Sequence, residues 1–112
     1  MNGDNKTIES LNVGNTLINS EWFEDVLTEV GFFNTEYPKT QVGFLSFLIY
    51  KRIIVSIAKM ENYGWVYVGY DEDDEDVFTQ DYNVYKDFDT CLNTAIVECT
   101  SYLYNKIKKK DK

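Results

Sequence analysis

Histidine is missing from this chain of 112 residues, and proline and cysteine are scarce, with one and two residues respectively. The missing imidazole removes the usual general base near neutral pH and the commonest protein ligand of zinc. It also excludes nucleophilic catalysis by a Ser–His or Cys–His pair. The sequence therefore predicts a protein that is not an enzyme, with no catalytic residues, no metal site and no cofactor.

Neither a disulfide nor a membrane segment is indicated. Cys91 and Cys99 stand eight residues apart, which is about 12 Å along a helix and too far for one bond. We expect them to be reduced core residues of a cytoplasmic protein. The longest apolar run covers only residues 42–50, whereas a membrane span needs about 20 residues. The N-terminus lacks the basic and apolar regions of a signal peptide.

Charge is strongly unbalanced towards acid. The whole chain carries −8, and the last seven residues, KIKKKDK, carry +4, so the first 105 residues carry about −12. Such a body repels nucleic-acid phosphate and anionic lipid. We therefore expect a protein partner with a basic surface, and no direct contact with nucleic acid or membrane. The high aromatic content, 16%, favours a folded chain and leaves a homodimer open.

The chain divides into a flexible N-terminal leader (1–18), one domain (19–108) and a basic C-terminal tail (109–112). In the domain, Asn19 or Ser20 can cap a helix with an apolar stripe at helical spacing. The stripe consists of Trp22, Phe23, Val26, Leu27 and Val30. Residues 41–52 fit a buried helix capped by Thr40, although Gly43 and the aromatic content leave a strand open.

Three strands and a last helix follow. β-Branched and aromatic residues predict strands at 53–60, 65–70 and 77–88, with a turn at 61–64. Asp89 or Thr90 is the expected cap of the final helix. The order α-α-β-β-β-α predicts an α+β fold, a two-layer sandwich in which helices cover a three-stranded antiparallel meander. This topology resembles that of double-stranded RNA-binding domains, but the negative charge argues against their function.

Four short segments carry a further resemblance: FLIYKR at 47–52, IIVSIA at 53–58, WVYV at 65–68 and CLNTAI at 91–96. Their layout, over about residues 40–105, resembles small uncharacterised proteins from gut Bacteroidales and from their phages and prophages. Phe47 stands where that group usually has tryptophan. The resemblance implies a mobile-element or phage accessory protein, and it supplies no catalytic residues.

A run of six acids is the first candidate binding site: Asp71, Glu72, Asp73, Asp74, Glu75 and Asp76. Read as a calcium loop, it has Asp76 where the motif needs glycine and Tyr82 where it needs glutamate. Three interpretations remain: a solvated hairpin tip, a weak cation site, and a docking surface for a basic partner.

Aromatic residues are the second candidate, with Trp65 and Tyr67 foremost. Aromatic rings on a sheet can stack on nucleic-acid bases, but such a surface also needs lysine or arginine. Residues 60–85 contain neither, against eight acids. These rings are therefore expected to pack in the core or in a dimer interface.

The function that follows from these features is that of a small acidic interaction or accessory protein. Its most concrete form is an inhibitor whose carboxylates imitate DNA phosphates and occupy the basic groove of a nucleic-acid-handling protein. A structural homo-oligomer that buries an aromatic surface is the alternative. A third hypothesis, an enzyme that uses a carboxylate pair, requires two acids with separated pKa values.

Overall fold

The fold is known from a computed structural model that describes residues 7–8, 17–78 and 83–110, with only the backbone of the first pair. Three helices lie on one face of a sheet, which makes the chain an α+β two-layer sandwich. The helices are α1 (Glu21–Glu29), α2 (Gln41–Tyr50) and α3 (Phe88–Lys110), with a 3-10 turn at Phe32–Asn34. The strands are β1 (Thr7–Ile8), β2 (Ile53–Met60), β3 (Gly64–Asp71), β4 (Asp76–Val77) and β5 (Val84–Tyr85).

The sheet is organised around the β2–β3 hairpin. These strands pair antiparallel from Ile53 opposite Asp71 to Met60 opposite Gly64, as the alternation of their side chains predicts. The strand order is β1-β5-β3-β2, β4 also pairs with β3, and β1 runs parallel to β5. The predicted order α-α-β-β-β-α is confirmed, and part of the predicted leader contributes β1.

The predicted third strand, 77–88, is interrupted. Val77 pairs with Tyr70 and Tyr85 pairs with Trp65. The pairing thus advances eight positions, from Val77 to Tyr85, for five positions along β3, from Tyr70 to Trp65, so a single regular strand does not fit. The middle of the predicted strand, residues 79–82, lies outside the described residues.

The core lies between the helices and the inner face of the sheet. Its largest fully buried residues include Phe23, Phe32, Phe47, Leu27, Leu48, Ile53 and Ile96. Cys91 and Cys99 are buried in this interior and form no disulfide, which confirms their predicted place in the core. Trp22 is 49% exposed, so it does not belong to the buried stripe in which the sequence placed it. The buried face of α1 is therefore narrower than the spacing of its apolar residues indicates.

Hydrogen bonds at the helix ends confirm two predicted caps and correct the third. Ser20 accepts from the amide of Phe23 at 3.1 Å, and Thr40 accepts from that of Gly43 at 3.0 Å. The prediction of Asp89 or Thr90 as the cap of α3 is wrong. The carboxylate of Asp87 accepts from the Thr90 amide at 2.7 Å, and the helix already begins at Phe88, before either predicted cap.

Residues 41–50 form a helix, which settles the alternative between helix and strand. α3 continues through the first two residues of the predicted basic tail and ends at Lys110. None of the described helices combines the length and the apolar character needed to cross a membrane.

Candidate functional site

The acidic run lies at one end of the sheet, where β3 turns into β4. Its first residue, Asp71, ends β3, residues 72–75 form the turn, and Asp76 begins β4. The chain reverses direction here with Glu75 at a positive φ of 52°. The six acids therefore differ in environment: Asp71 is fully buried, whereas the other five are exposed.

The side chain of Asp71 holds the turn in place by hydrogen bonds. Its Oδ1 accepts hydrogen bonds from the backbone amides of Asp73 at 3.0 Å and Asp74 at 3.4 Å. Its Oδ2 accepts from the Tyr102 hydroxyl and from the Lys106 ammonium, each at 2.7 Å. Both donors lie on α3, four residues apart and therefore on one face of the helix. Asp71 thus links the turn to the last turns of α3.

The ionisation of this cluster follows from its contacts. Burial on its own would raise the pKa of the Asp71 carboxyl, but the hydrogen bonds from Lys106, Tyr102 and the turn backbone lower it to about 2. Burial and the hydrogen bond to Asp71 raise the pKa of the Tyr102 hydroxyl. Burial would lower the pKa of Lys106, yet the hydrogen bond and the charge of Asp71 raise it. At neutral pH the cluster is therefore a carboxylate, an ammonium and a neutral phenol.

Two cations partly neutralise the exposed acids. The Arg52 Nε lies 2.6 Å from Oδ1 of Asp73, and the guanidinium reaches Glu72 at 4.0 Å. Lys106 lies 3.7 Å from Asp73 and 3.6 Å from Asp74. Arg52 lies in the turn between α2 and β2, and its backbone carbonyl accepts a hydrogen bond from the Glu72 amide at 2.9 Å. The six carboxylates of the turn outnumber Arg52 and Lys106, so these eight groups together keep a net negative charge.

A groove of about 540 Å³ borders this turn and runs along the end of α3. It is lined by Asp74, Tyr102, Asn105, Lys106, Lys108 and Lys109. A second groove, of about 350 Å³, lies near the start of α2 and has no carboxylate in its lining. Neither groove offers the pair of acids that the carboxylate-enzyme hypothesis requires.

The aromatic candidates do not join the acidic run. Trp65 is half-buried, with its ring centroid 5.0 Å from that of Phe88. Tyr67 is buried, its hydroxyl donates to Glu98, and its ring lies 6.1 Å from that of Tyr85. Residues 65 and 71 are six positions apart on β3, which separates them by about 20 Å. Trp65 and Tyr67 thus pack inside the molecule, away from the turn.

Among the described residues, no group of three carboxylates or thiols is arranged to hold a metal ion. The geometry at Asp71 explains why a cation would bind poorly there. Both of its oxygens already accept hydrogen bonds, and the Lys106 ammonium occupies the position at Oδ2 that a cation would take.

Sequence reasoning missed Arg52, Tyr102 and Lys106 as part of this site. In the sequence, Lys106 opens the basic segment KIKKKDK, and Tyr102 carries no charge that would mark it as a partner of an acid. Their spacing of four residues was a usable signal, because it places a hydroxyl and an ammonium on one helix face. Nothing in the sequence indicates which acid they meet, because Asp71 and Lys106 are 35 residues apart.

Comparison with known proteins gives no relative: no family model, curated protein or solved structure matches the chain. The function is therefore inferred from the geometry and charge of the described residues.

Proposed function

We propose that this chain is a small, non-enzymatic interaction protein that binds a basic protein surface through its exposed β3–β4 turn. The observation that carries the proposal is the difference within the acidic run. Asp71 is buried and serves the structure, while Glu72, Asp73, Asp74, Glu75 and Asp76 direct their charge to solvent. The five exposed acids are accessible to a partner, and one of them, Asp73, also pairs with Arg52.

The anchoring of the turn supports this role. Two amide hydrogen bonds to Asp71 and the ion pair between Arg52 and Asp73 hold the turn in one conformation. A binding surface that is ordered before association loses less conformational entropy when the partner binds. A turn held in this way suits recognition better than a mobile acidic tail would.

The partner that we propose is a nucleic-acid-handling protein, such as a nuclease or a repressor. Duplex DNA presents about one charge per 1.7 Å of its axis, and proteins that bind it line their grooves with lysine and arginine. Consecutive carboxylates in a turn provide a similarly dense row of negative charge, so the chain would act as an inhibitor by occupying such a groove. The resemblance to Bacteroidales phage and prophage proteins is the reason for placing this inhibitor among phage accessory proteins, acting in the cytoplasm.

A charge-neutralised variant tests the proposal. The quadruple variant E72Q/D74N/E75Q/D76N removes four exposed charges and keeps Asp71 and the Arg52–Asp73 ion pair. Its matched control, E21Q/E24Q/D25N/E29Q, removes four charges from α1. Binding to a panel of purified bacterial nucleases, repressors and histone-like proteins is measured by calorimetry at salt concentrations from 50 to 500 mM.

The two outcomes are distinct. The proposal expects at least one member of the panel to bind, with an affinity that falls as salt rises and that drops at least tenfold in the turn variant only. Equal weakening by the α1 control would assign binding to net charge instead of to the turn. Absence of binding across the panel, or binding that ignores salt, would reject the proposal.

The alternative, a homo-oligomer that uses an aromatic surface, receives less support. Of the two foremost rings that the sequence offers for it, Tyr67 is buried and Trp65 is half-buried against Phe88. An oligomer of this chain would have to use a different surface.

A further inference from the structure

The chain packs into the molecule on both sides of the acidic turn, at Asp71 before it and at Phe78 after it. From Glu72 to Val77 every side chain is exposed, and Phe78 is the first residue after them that is half-buried. On this side of the turn only Asp76 and Val77 pair with β3, and so short a ladder contributes little stability. The position of the β4 side of the turn therefore depends on the contacts of Phe78.

The ring of Phe78 occupies a space that β3 leaves open. The backbone amide of Phe78 donates to the Gly69 carbonyl at 3.1 Å, and the ring lies against Gly69. A Cβ at position 69 would come within 2.6 Å of the ring atom Cζ and within 3.0 Å of the Cys99 sulfur. Both distances are shorter than those at which unbonded atoms pack. The missing side chain at position 69 is therefore what lets the ring lie here.

Tyr102 joins the two sides of the turn. Its ring stacks on that of Phe78, with centroids 3.7 Å apart and planes inclined by 9°. Its hydroxyl donates to Oδ2 of Asp71 at 2.7 Å. One side chain of α3 thus contacts the chain before the exposed acids and after them. We call Gly69, Phe78 and Tyr102 the aromatic clamp.

We propose that the aromatic clamp positions the acidic turn for binding, and that Phe78 is the positioning residue on its β4 side. This inference rests on the proposed function, because the position of the turn matters to a partner only if the exposed acids bind one. With Asp71 and Phe78 both held against Tyr102, the two ends of the turn are fixed. A turn that is released at one end keeps its charge, but a partner must then order it, which lowers the affinity.

Hydrogen exchange measures the order of the turn without any partner. The amides of Asp73 and Asp74 donate to Asp71, so their exchange rates, followed by NMR, report local opening of the turn. Phe78→Leu removes the stacked ring and should accelerate the exchange of both amides by roughly fivefold or more. Unchanged rates would overturn the proposal.

A matched control separates local opening from a general loss of stability. Phe88→Leu removes a ring that contacts Trp65, far from the turn, and should leave the exchange of the two turn amides within about twofold of the wild type. The amides of the β2–β3 ladder report global unfolding in the same samples. If Phe88→Leu accelerated the turn amides as much as Phe78→Leu, the ring of Phe78 would be an ordinary core contact and the proposal would fail.

A second variant disturbs the same contact from β3. Gly69→Ala places a methyl group where the ring of Phe78 lies and should also accelerate exchange of the turn amides. In the double variant Gly69→Ala/Phe78→Leu the two effects should not add, because each substitution breaks the same contact. Additive effects would show that residues 69 and 78 act separately, which contradicts the clamp.

Calorimetry then shows whether a partner depends on the position of the turn. The probe is the tightest binder of the wild type among the nucleases, repressors and histone-like proteins of the panel. Phe78→Leu keeps every charge, and its affinity should fall roughly tenfold. In the background E72Q/D74N/E75Q/D76N the same substitution should change the affinity by less than about twofold.

The clamp and the proposed function can fail separately. Faster exchange of the turn amides with an unchanged affinity would reject the role of the clamp in binding. If no protein of the panel binds the wild type, the proposed function fails, and the exchange rates still decide whether the clamp holds the turn.

Discussion

At the scale of single residues, Asp71 is the acid on which the fold depends. Its ordinary pKa of 3.8 falls to about 2 in the folded chain, so folding favours the ionised carboxylate. The stabilisation is therefore present above pH 4 and is lost as the pH falls from about 4 towards 2. A shift of this size corresponds to about 2 kcal/mol of unfolding free energy at neutral pH.

Asp71→Asn should remove this contribution. Because Lys106 then keeps its charge beside a neutral amide, we expect a loss of about 2 kcal/mol at pH 7. The difference from the wild type should shrink as the pH approaches 2, where the wild-type carboxyl also becomes protonated. Urea denaturation at several pH values measures both effects. Glu75→Gln, an exposed acid of the same turn, is the control and should change stability by less than about 0.5 kcal/mol. A difference that stays constant from pH 7 to pH 2 would contradict the assignment.

At the scale of elements, the start of α3 depends on one side chain. The Asp87 carboxylate accepts from the Thr90 amide at 2.7 Å, which satisfies one of the amides that a helix N-terminus leaves free. Asp87→Ala should therefore cost about 1 kcal/mol of stability. Asp89→Ala, two residues later, is the matched control. Asp89 interacts with the helix dipole and accepts a hydrogen bond from the Gln41 side chain, so we expect its removal to lower the stability by about 0.5 kcal/mol. Thermal denaturation of the two variants compares them, and an equal or reversed order would refute Asp87 as the cap.

The same helix shows why some boundaries could be predicted and others could not. The sequence narrows the cap of α1 to Asn19 or Ser20, and it offers Thr40 as the cap of α2 if residues 41–52 are helical. Before α3, the segment from Asp87 to Thr90 offers three side chains that can cap a helix, and only the backbone geometry decides between them. Local patterns therefore predict that an element exists better than they predict where it begins.

α2 and β3 show how tertiary contacts modify a local pattern. Gly43 argued against a helix, but a Cβ at this position would overlap the carbonyl of Pro38. The glycine is therefore a packing requirement within the helix. On β3, the alternation of side chains places Asp71 on the same inner face as Tyr67 and Gly69. From this alternation, the sequence could have predicted that Asp71 is buried and that the other five acids are not. Its partners on α3, Tyr102 and Lys106, could not be predicted, because only the tertiary fold brings them to Asp71.

At the scale of the whole molecule, the excess of acid opposes folding. A net charge of −8 repels itself more strongly in the compact state than in the unfolded chain. The effect is concentrated at the β3–β4 turn, where six carboxylates outnumber Arg52 and Lys106. Salt screens exposed charges over about 10 Å at 0.1 M and screens buried pairs much less. The Asp71–Lys106 pair should therefore keep its strength while the repulsion between exposed carboxylates declines.

Moderate salt should consequently stabilise this protein. We expect the melting temperature to rise by roughly 4 °C between 20 and 300 mM sodium chloride, which corresponds to about 1 kcal/mol of unfolding free energy. The variant E72Q/D74N/E75Q/D76N should melt higher than the wild type at low salt and gain less from added salt, because the repelling charges are already absent. Calorimetric melting of both proteins at several protein concentrations separates this effect from any self-association. A melting temperature that falls with salt would mean that attractive ion pairs such as Arg52–Asp73 outweigh the repulsion. The exposed acids would then be part of the stabilising network and less available to a partner.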